Sequence, residues 1–500
     1  MKLPQHTKNF GIKIRQLPWR YICPVLTIIL FFSFCAILTY DSGHYLSYVS
    51  IFEGNSPSSS WDIVRGPIFP LIIHSFNFLF GKTNTGLLVG LFLYYLIFAF
   101  STYKLCAEIT QHLKHQKLVQ NIIIIILIFN PLIFGYFHVL LTEFVAITLT
   151  VLNLLIAYKW IFIKSTNKKS LIFYAAYVVV SIIFCYHLKQ PYIIISFVPP
   201  FTAAIISIIR DHKKFNIIYR LSVILASVIF LLFSIFAWDK ILNLMGVDKN
   251  TGRDSSSVLG QQLLLAYQIP YDNDNDGKND RISTAEAIGL ILQEFSKNPL
   301  HVTKIYLQNY CGLTSMCEIT TPNGYDFYST HNLVGLSTYE NTFIGYATYR
   351  AEDNISPMKE EMTARAKAYS SAPNKSFFAK IMDNLKIPTN ILFKFTSIIS
   401  LPALIALLFL KRKDKKKRYN KLFYFNLLLL ITACAHLFIS AGIGLIIDRY
   451  AIEAFVPSLL GTTGTVIYAI FLFSKNHPST TIQLKQLTKT AKRKKHTHGK

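Results

Sequence analysis

Residues 19–45 read WRYICPVLTIILFFSFCAILTYDSGHY, and the interpretation of the whole chain starts from this stretch. Its first part is apolar over about twenty residues, enough to cross a bilayer. It has a basic flank and no small-residue cleavage site, so we expect a permanent membrane anchor. The run ends at Asp41, and a charge at a membrane boundary is costly enough to suggest a functional role.

The composition of the whole chain is that of an integral membrane protein. Of 500 residues, 52% are hydrophobic and 15% are charged, and the mean hydropathy is +0.37. The net charge of +25 comes from short clusters of Lys and Arg beside apolar runs. These clusters are typical of the cytoplasmic flanks of membrane helices, so no nucleic-acid partner is predicted.

About ten apolar runs have the length that spans a bilayer. They are 19–40, 85–106, 119–138, 143–163, 170–187, 191–209, 218–238, 391–410, 422–445 and 451–473. A further run, 67–83, would place several basic clusters on the outer side if it crossed, against the positive-inside rule. We therefore predict an interfacial or re-entrant helix there, in an all-α polytopic fold with both termini in the cytoplasm.

The distribution of polar residues divides the chain into four parts. Residues 1–238 form a membrane module with an outer loop at 41–84. Residues 239–390 hold most of the acidic residues, which predicts an extracytoplasmic domain of mixed secondary structure. The remaining parts are a second set of membrane helices at 391–475 and a basic cytoplasmic tail at 476–500.

Three short motifs share the predicted outer face. Asp41 is followed by Tyr45, the segment 65–70 reads RGPIFP, and Glu143 ends the motif Leu-Thr-Glu at the start of a later span. Their order and shared face resemble the C-type superfamily of integral-membrane glycosyltransferases. The resemblance is to the bacterial branch related to protein O-mannosyltransferases and the lipid A aminoarabinose transferase.

A fourth motif adds to this resemblance. Arg449 and Tyr450, with Pro457 further on, are similar to the late Arg-Tyr-x-x-x-Pro region of the family. Family members often have a second acidic residue after the first span, where this chain has Ser42.

The resemblance implies a transferase that moves a hexose or pentose from a polyprenyl phosphate to a glycan, lipid or protein acceptor, with inversion. Asp41 would take the proton of the acceptor, and Glu143 would orient the acceptor or help to bind a divalent cation. The implied substrate- and phosphate-binding residues are Tyr45, Arg65, Lys189, Arg449 and Tyr450. A bacterial inner membrane is the predicted location.

Other interpretations of these residues remain open. Cations at a membrane boundary often anchor a helix, and an acid there often starts a turn or a helix. A polysaccharide polymerase or O-antigen ligase has a similar number of spans. A lipid or sugar transporter is the third class, although its charges are expected near the bilayer midplane.

Residues 272–283 resemble a calcium-binding loop, with acids at alternate positions and a glycine at the turn. The predicted ligands are Asp272, Asp274, Asp276, Lys278, Asp280 and Glu286. Ser283 stands where an acid usually ends such a loop, and with Glu286 it also predicts a helix-starting capping box. A plain acidic turn is the alternative.

Two cysteines fall in the predicted outer domain. Cys311 and Cys317 would face the oxidising side, which predicts a short-loop disulfide. The other cysteines fall in membrane spans, where we expect them to be packing residues.

Overall fold

The computed structural model describes residues 19–32, 36, 40–61, 65–111, 113, 115–162, 168–210, 214–247, 255–271, 282–314, 377–414, 419–443 and 451–473. Within these ranges the chain is helical and has no strand. This confirms an all-α membrane architecture. The strands implied by a mixed outer domain are not found in its described residues.

The helices follow one another along the chain with short connections. They are α1 (Trp19–Phe32), α2 (Tyr40–Phe52), α3 (Ile68–Phe80), α4 (Asn84–Thr110), α5 (Gln116–Ile128), α6 (Pro131–Tyr136), α7 (Glu143–Ile161), α8 (Lys168–Leu188), α9 (Ile193–Arg210), α10 (Lys214–Leu244), α11 (Ser255–Ala266), α12 (Thr284–Lys297), α13 (Pro299–Leu313), α14 (Phe377–Lys413), α15 (Asn420–Gly442) and α16 (Ile452–Phe473).

Eight helices in the described ranges are long and apolar enough to cross a membrane: α4, α7, α8, α9, α10, α14, α15 and α16. Each coincides with one of the predicted spans. The predicted span 19–40 is described as a helix only over α1.

One predicted span is interrupted. α5 ends at Ile128 and α6 begins at Pro131, because the Asn130 side chain accepts hydrogen bonds from the Leu132 and Ile133 amides at 3.0 and 3.3 Å. The 13 residues of α5 rise about 20 Å, less than the hydrocarbon thickness of about 30 Å. The prediction of one continuous helix over 119–138 is therefore wrong.

The chain after this break is buried throughout residues 130–148, including the non-helical turn that leads into α7. His138 lies in this turn, with Nδ1 2.8 Å from the Phe134 carbonyl oxygen and Nε2 3.0 Å from the Phe31 carbonyl oxygen of α1. Irregular backbone at membrane depth is tolerated only where protein or water surrounds it. Here the surrounding helices enclose the turn.

The predicted outer loop 41–84 contains two helices, α2 and α3. α3 coincides with the run predicted to be interfacial, and its 13 residues are too short to span a bilayer. Phe69 and Ile73 are buried against the bundle, whereas Phe78 and Leu79 are 83% and 65% exposed. Its length and its exposed apolar face are those expected of an interfacial helix.

Two helices extend into the predicted outer domain 239–390 from its two ends, since α10 continues to Leu244 and α14 begins at Phe377. Between them, α11, α12 and α13 pack around a small apolar cluster. Two tyrosine hydroxyls attach this cluster to the end of α15. Tyr267 donates to the Gly442 carbonyl and Tyr306 to the Phe438 carbonyl, each at 3.1 Å.

Cationic side chains gather at one end of the helix bundle. The guanidinium carbon of Arg210, which ends α9, lies 4.8 Å from the ring centroid of Phe162. Lys421, at the start of α15, lies 5.8 Å from the same ring. We call this end of the bundle the Arg210 end. The opposite end, where α7 begins at Glu143, is called the Glu143 end.

Candidate functional site at the Glu143 end

An ion pair is buried where α7 begins. Glu143 is the first residue of α7, and Lys189 lies in the connection from α8 to α9. Lys189 Nζ is 3.8 Å from Glu143 Oε1, and the two side chains are 15% and 0% exposed. Removing two opposite charges from water is costly, and their mutual attraction offsets part of that cost.

Polar groups on both sides support this pair. The Thr142 hydroxyl lies 3.3 Å from Glu143 Oε2 and 3.2 Å from the Tyr192 hydroxyl. The Lys189 ammonium also lies 5.7 Å from the Tyr192 ring centroid. These contacts fix the position of the Lys189 ammonium.

A second cation is held on the connection from α2 to α3. Arg65 Nη1 donates to the Tyr45 hydroxyl at 3.0 Å, and the guanidinium carbon lies 5.2 Å from the Tyr45 ring centroid. The Trp61 indole donates to the Arg65 carbonyl at 2.9 Å. Tyr45 in turn packs edge-on against Phe69, with the ring centroids 4.6 Å apart. Tyr45 and Arg65, both predicted to bind substrate or phosphate, thus contact each other.

Gly66 brings this connection against the end of α8. A Cβ atom at Gly66 would lie 1.8 Å from the His187 carbonyl oxygen, so only glycine allows the two backbones to approach this closely. His187 is two residues before Lys189. The predicted cations Arg65 and Lys189 therefore lie on adjoining segments of backbone.

Asp41 belongs to α2, although its side chain lies outside the described part of the structure. The neighbouring Ser42 hydroxyl donates to the Leu140 carbonyl at 2.7 Å, three residues before Glu143. The backbone that carries Asp41 is therefore joined to the turn that leads into α7. Arg449 and Tyr450 lie outside the described residues, in the connection between α15 and α16.

The structure adds two residues that the sequence reasoning missed. Glu453, in the first turn of α16, is 1% exposed and lies with Oε2 3.5 Å from Nε2 of His436 on α15. α16 packs against α7, the helix that begins with Glu143. An acid inside an otherwise apolar span was the available signal, but His436 gave none.

The calcium-loop residues 272–280 lie outside the described part of the chain. The adjoining capping box is confirmed: Ser283 caps α12, and its backbone amide and hydroxyl donate to Glu286 Oε2 at 3.0 and 2.7 Å. Glu286 is therefore already used by its own helix. The described residues contain no group of three His, Cys, Asp or Glu side chains arranged to hold a metal. The calcium loop at 272–283 and the divalent cation near Glu143 both stay predictions.

The cysteines divide as expected where they are described. Cys311 is disulfide-bonded, and its predicted partner Cys317 lies outside the described residues. Cys106, Cys185 and Cys434 are free and buried.

Comparisons of the chain with protein-family models, with curated proteins and with solved structures find no match. A functional assignment therefore has to rest on the residues themselves and on how the fold arranges them.

Proposed function

We propose that this protein is a membrane glycosyltransferase that moves a sugar from a polyprenyl phosphate to an acceptor on the extracytoplasmic face. One observation carries the proposal. The contact of Tyr45 with Arg65 and the contact of Lys189 with Glu143 lie at one end of a bundle of apolar helices. Gly66 brings the two connections that carry Arg65 and Lys189 against each other. In the proposal a lipid-linked donor reaches such a site from the bilayer, and a glycan, lipid or protein acceptor reaches it from the extracytoplasmic side.

The leaving group of the reaction explains the two cations. A phosphate that leaves the sugar carbon needs its negative charge stabilised more than it needs a proton. Arg65 offers a planar fork of donors that fits phosphate oxygens, and Lys189 offers a compact positive charge. Arg449 and Tyr450 complete this set in the proposal. A divalent cation held with the help of Glu143 would serve the same purpose.

The attacking acceptor needs a base or an orienting group. We assign to Asp41 the role of the base that takes the proton of the acceptor. The helix of Asp41 is joined to the turn before Glu143 by the hydrogen bond from the Ser42 hydroxyl to the Leu140 carbonyl. Glu143 holds Lys189 in place and helps to orient the acceptor. Inversion at the sugar carbon follows from a single displacement with the base and the phosphate on opposite sides.

The distribution of charge supports the proposed orientation. Lys159, Arg210 and the residues Lys411 to Lys413 lie in the last turns of α7, α9 and α14, away from Glu143. Positive residues favour the cytoplasmic side. We therefore assign the Arg210 end to the cytoplasm of a bacterial inner membrane and the Glu143 end to the extracytoplasmic face.

The test is a mass-spectrometric profile of polyprenyl-phosphate lipids from cells that carry the wild type, Asp41→Asn or Lys189→Met at matched expression. We expect a monosaccharide-linked lipid to accumulate in both variants, and its mass identifies the sugar. Lys104→Met, a change at an exposed lysine of α4, is the control and should match the wild type.

Other outcomes of this profile would contradict the proposal. Accumulation of an oligosaccharide-linked lipid would indicate a polymerase or ligase. Unchanged lipids in cells that have nevertheless lost a phenotype would indicate transport.

A further inference from the structure

The apolar face of α12 is wider than the part of it that the protein covers. The covered residues pack into the small cluster that α12 forms with α11 and α13; they are Ala287, Leu290 and Ile291. The apolar face continues in Ile288, Leu292 and Phe295, whose spacing i, i+4, i+7 places them side by side on the helix surface. All three are exposed, Leu292 by 63%. Part of an apolar helix face is therefore bare within the described residues.

The next helix has an exposed face of similar composition. Leu300, Lys304 and Leu307 follow the same i, i+4, i+7 spacing along α13, and all three are exposed. Leu300 stands beside the turn that joins the two helices and is 82% exposed. A lysine can lay its aliphatic stem along such a surface and keep its ammonium in water. We call the exposed residues of both helices the hairpin face; they are Ile288, Leu292, Phe295, Leu300, Lys304 and Leu307.

α13 is attached to the bundle at the depth of the membrane spans. The Tyr310 hydroxyl donates to the Ser397 carbonyl of α14 at 3.4 Å, and the Tyr310 ring stacks on Phe438 of α15 with the centroids 5.2 Å apart. Ser397 lies six residues inside the apolar span that begins at Ile391, which is about 9 Å along the helix. Phe438 lies four residues before the end of the span formed by α15. α13 therefore lies beside the boundary of the apolar bundle.

We propose that the hairpin face lies in the interfacial region of the lipid bilayer, in the leaflet at the Glu143 end. Helices that bind in this region combine an apolar face, which enters the acyl boundary, with cations that contact lipid phosphates. Lys297, in the last turn of α12, and Lys304 precede and follow Leu300 in the chain, and both are exposed. The partner of the hairpin face is thus a lipid surface that carries anionic phosphates.

The attachment of the hairpin explains why lipid is the partner. Large exposed apolar patches mark interaction sites. The side chains of Tyr306 and Tyr310 hold α13 against α14 and α15, so the lipid that surrounds these spans also reaches the adjoining hairpin face. The inference uses no property of a sugar donor and stands apart from the proposed function. It makes the described helices of the outer domain a membrane-bound element.

Spin labels can locate the hairpin face directly. We would attach a nitroxide to Leu292→Cys or Leu300→Cys in the full chain, reconstituted in bilayers of phosphatidylethanolamine and phosphatidylglycerol. Oxygen concentrates in lipid and a nickel chelate stays in water, so their relaxation of the label reports its surroundings. We expect oxygen to be the stronger relaxant at both positions. Gln293→Cys, at an exposed polar residue of α12, is the matched control and should show the reverse order.

Further arms make the result independent of one substitution. Leu307→Cys repeats the measurement on α13 and should also favour oxygen. The wild type, whose free cysteines in the described residues are buried, gives the labelling background. Bilayers of phosphatidylcholine alone should weaken the preference for oxygen at Leu300→Cys, because Lys297 and Lys304 then face lipids without net charge. An unchanged preference would remove the lysines from the contact.

Three results would overturn the inference. Nickel relaxation of the Leu292 and Leu300 labels as strong as that of the Gln293 label would show a face in water. Protection from both relaxants would show a face covered by protein. Spin–spin broadening that disappears on dilution with unlabelled protein would show that a second copy of the chain occupies the face. Each result leaves the lipid profiles of the sugar-transfer test untouched, so the two proposals fail separately.

Discussion

The Lys189 ammonium lies 3.8 Å from Glu143 Oε1, and this contact joins the end of α8 to the start of α7 within the protein interior. Removing one partner leaves the other charge buried without compensation, which costs about 3–5 kcal/mol in comparable pairs. We expect Lys189→Met and Glu143→Gln each to lower the thermal unfolding midpoint of the detergent-purified protein. The double variant should recover much of the loss, and additive losses would argue against a coupled pair.

Gly66 allows a second prediction. Gly66→Ala would place a methyl group 1.8 Å from the His187 carbonyl oxygen, so the backbone carrying Arg65 must move away from Lys189. We expect sugar transfer to fall to background even if the protein accumulates normally. Gly289→Ala is the matched control, because a Cβ there meets nothing within 4 Å and alanine favours a helix. Equal activity of the two variants would show that this close approach is not required.

Tyr45 orients Arg65 through a single hydroxyl. Tyr45→Phe removes the 3.0 Å hydrogen bond but keeps the ring beside the guanidinium. Hydrogen bonds to charged groups contribute about 1.5–3 kcal/mol, so we expect donor consumption by isolated membranes to slow by about tenfold or more. Tyr103→Phe, at an exposed tyrosine of α4, should leave the rate unchanged. A Tyr45→Phe rate equal to this control would remove Tyr45 from the site.

The capping box of Glu286 predicts a pH dependence at the start of α12. Hydrogen bonds from the Ser283 hydroxyl and amide lower the pKa of Glu286 below its ordinary value of 4.5. The capping contribution is therefore complete above the ordinary pKa and is lost as the pH falls through the lower, folded pKa. Hydrogen-exchange protection at the start of α12, corrected for intrinsic rates, should decline on acidification. Glu286→Gln can still form a capping box and should remove this dependence; a decline that persists in Glu286→Gln would assign it to another group.

The disulfide partner of Cys311 can be mapped with cyanogen bromide, which cleaves after methionine. Met316 lies between Cys311 and Cys317, so cyanogen bromide cuts the chain between them. We expect the fragments 246–316 and 317–358, which carry Cys311 and Cys317, to stay joined until a reductant is added. We also expect Cys317→Ser to make Cys311 available for alkylation. Fragments that separate without reduction would show that Cys311 pairs with a different cysteine.

Hydropathy predicted most of the architecture, because lipid requires long apolar helices and leaves few alternatives. The break at Asn130 and Pro131 escaped this reasoning because apolar residues lie on both sides of it. The local sequence did contain a signal. Asparagine often caps a helix and proline often occupies its first turn, so Asn130 and Pro131 together indicate the start of a new helix.

The candidate site was predictable in part. Individual charges at helix ends were visible, and the structure brings together Tyr45 with Arg65 and Glu143 with Lys189. The pairing of His436 with Glu453 depends on the position of α16 along the axis of α15 and on the rotation of each helix about its own axis. Those quantities are set by packing between helices, which one sequence does not reveal.

The two carbonyl contacts of His138 bear on how the protein is made. The buried turn before α7 presents polar groups that lipid cannot satisfy, and one of their partners is the Phe31 carbonyl of α1. α1 precedes the turn along the chain, so the partner of His138 is synthesised before the turn is. The turn is enclosed only when α5, α6 and α7 are packed together against α1, so we expect these helices to assemble as one unit. Loss of α1 is therefore expected to leave His138 without one of its partners and to reduce the amount of inserted protein before it affects activity.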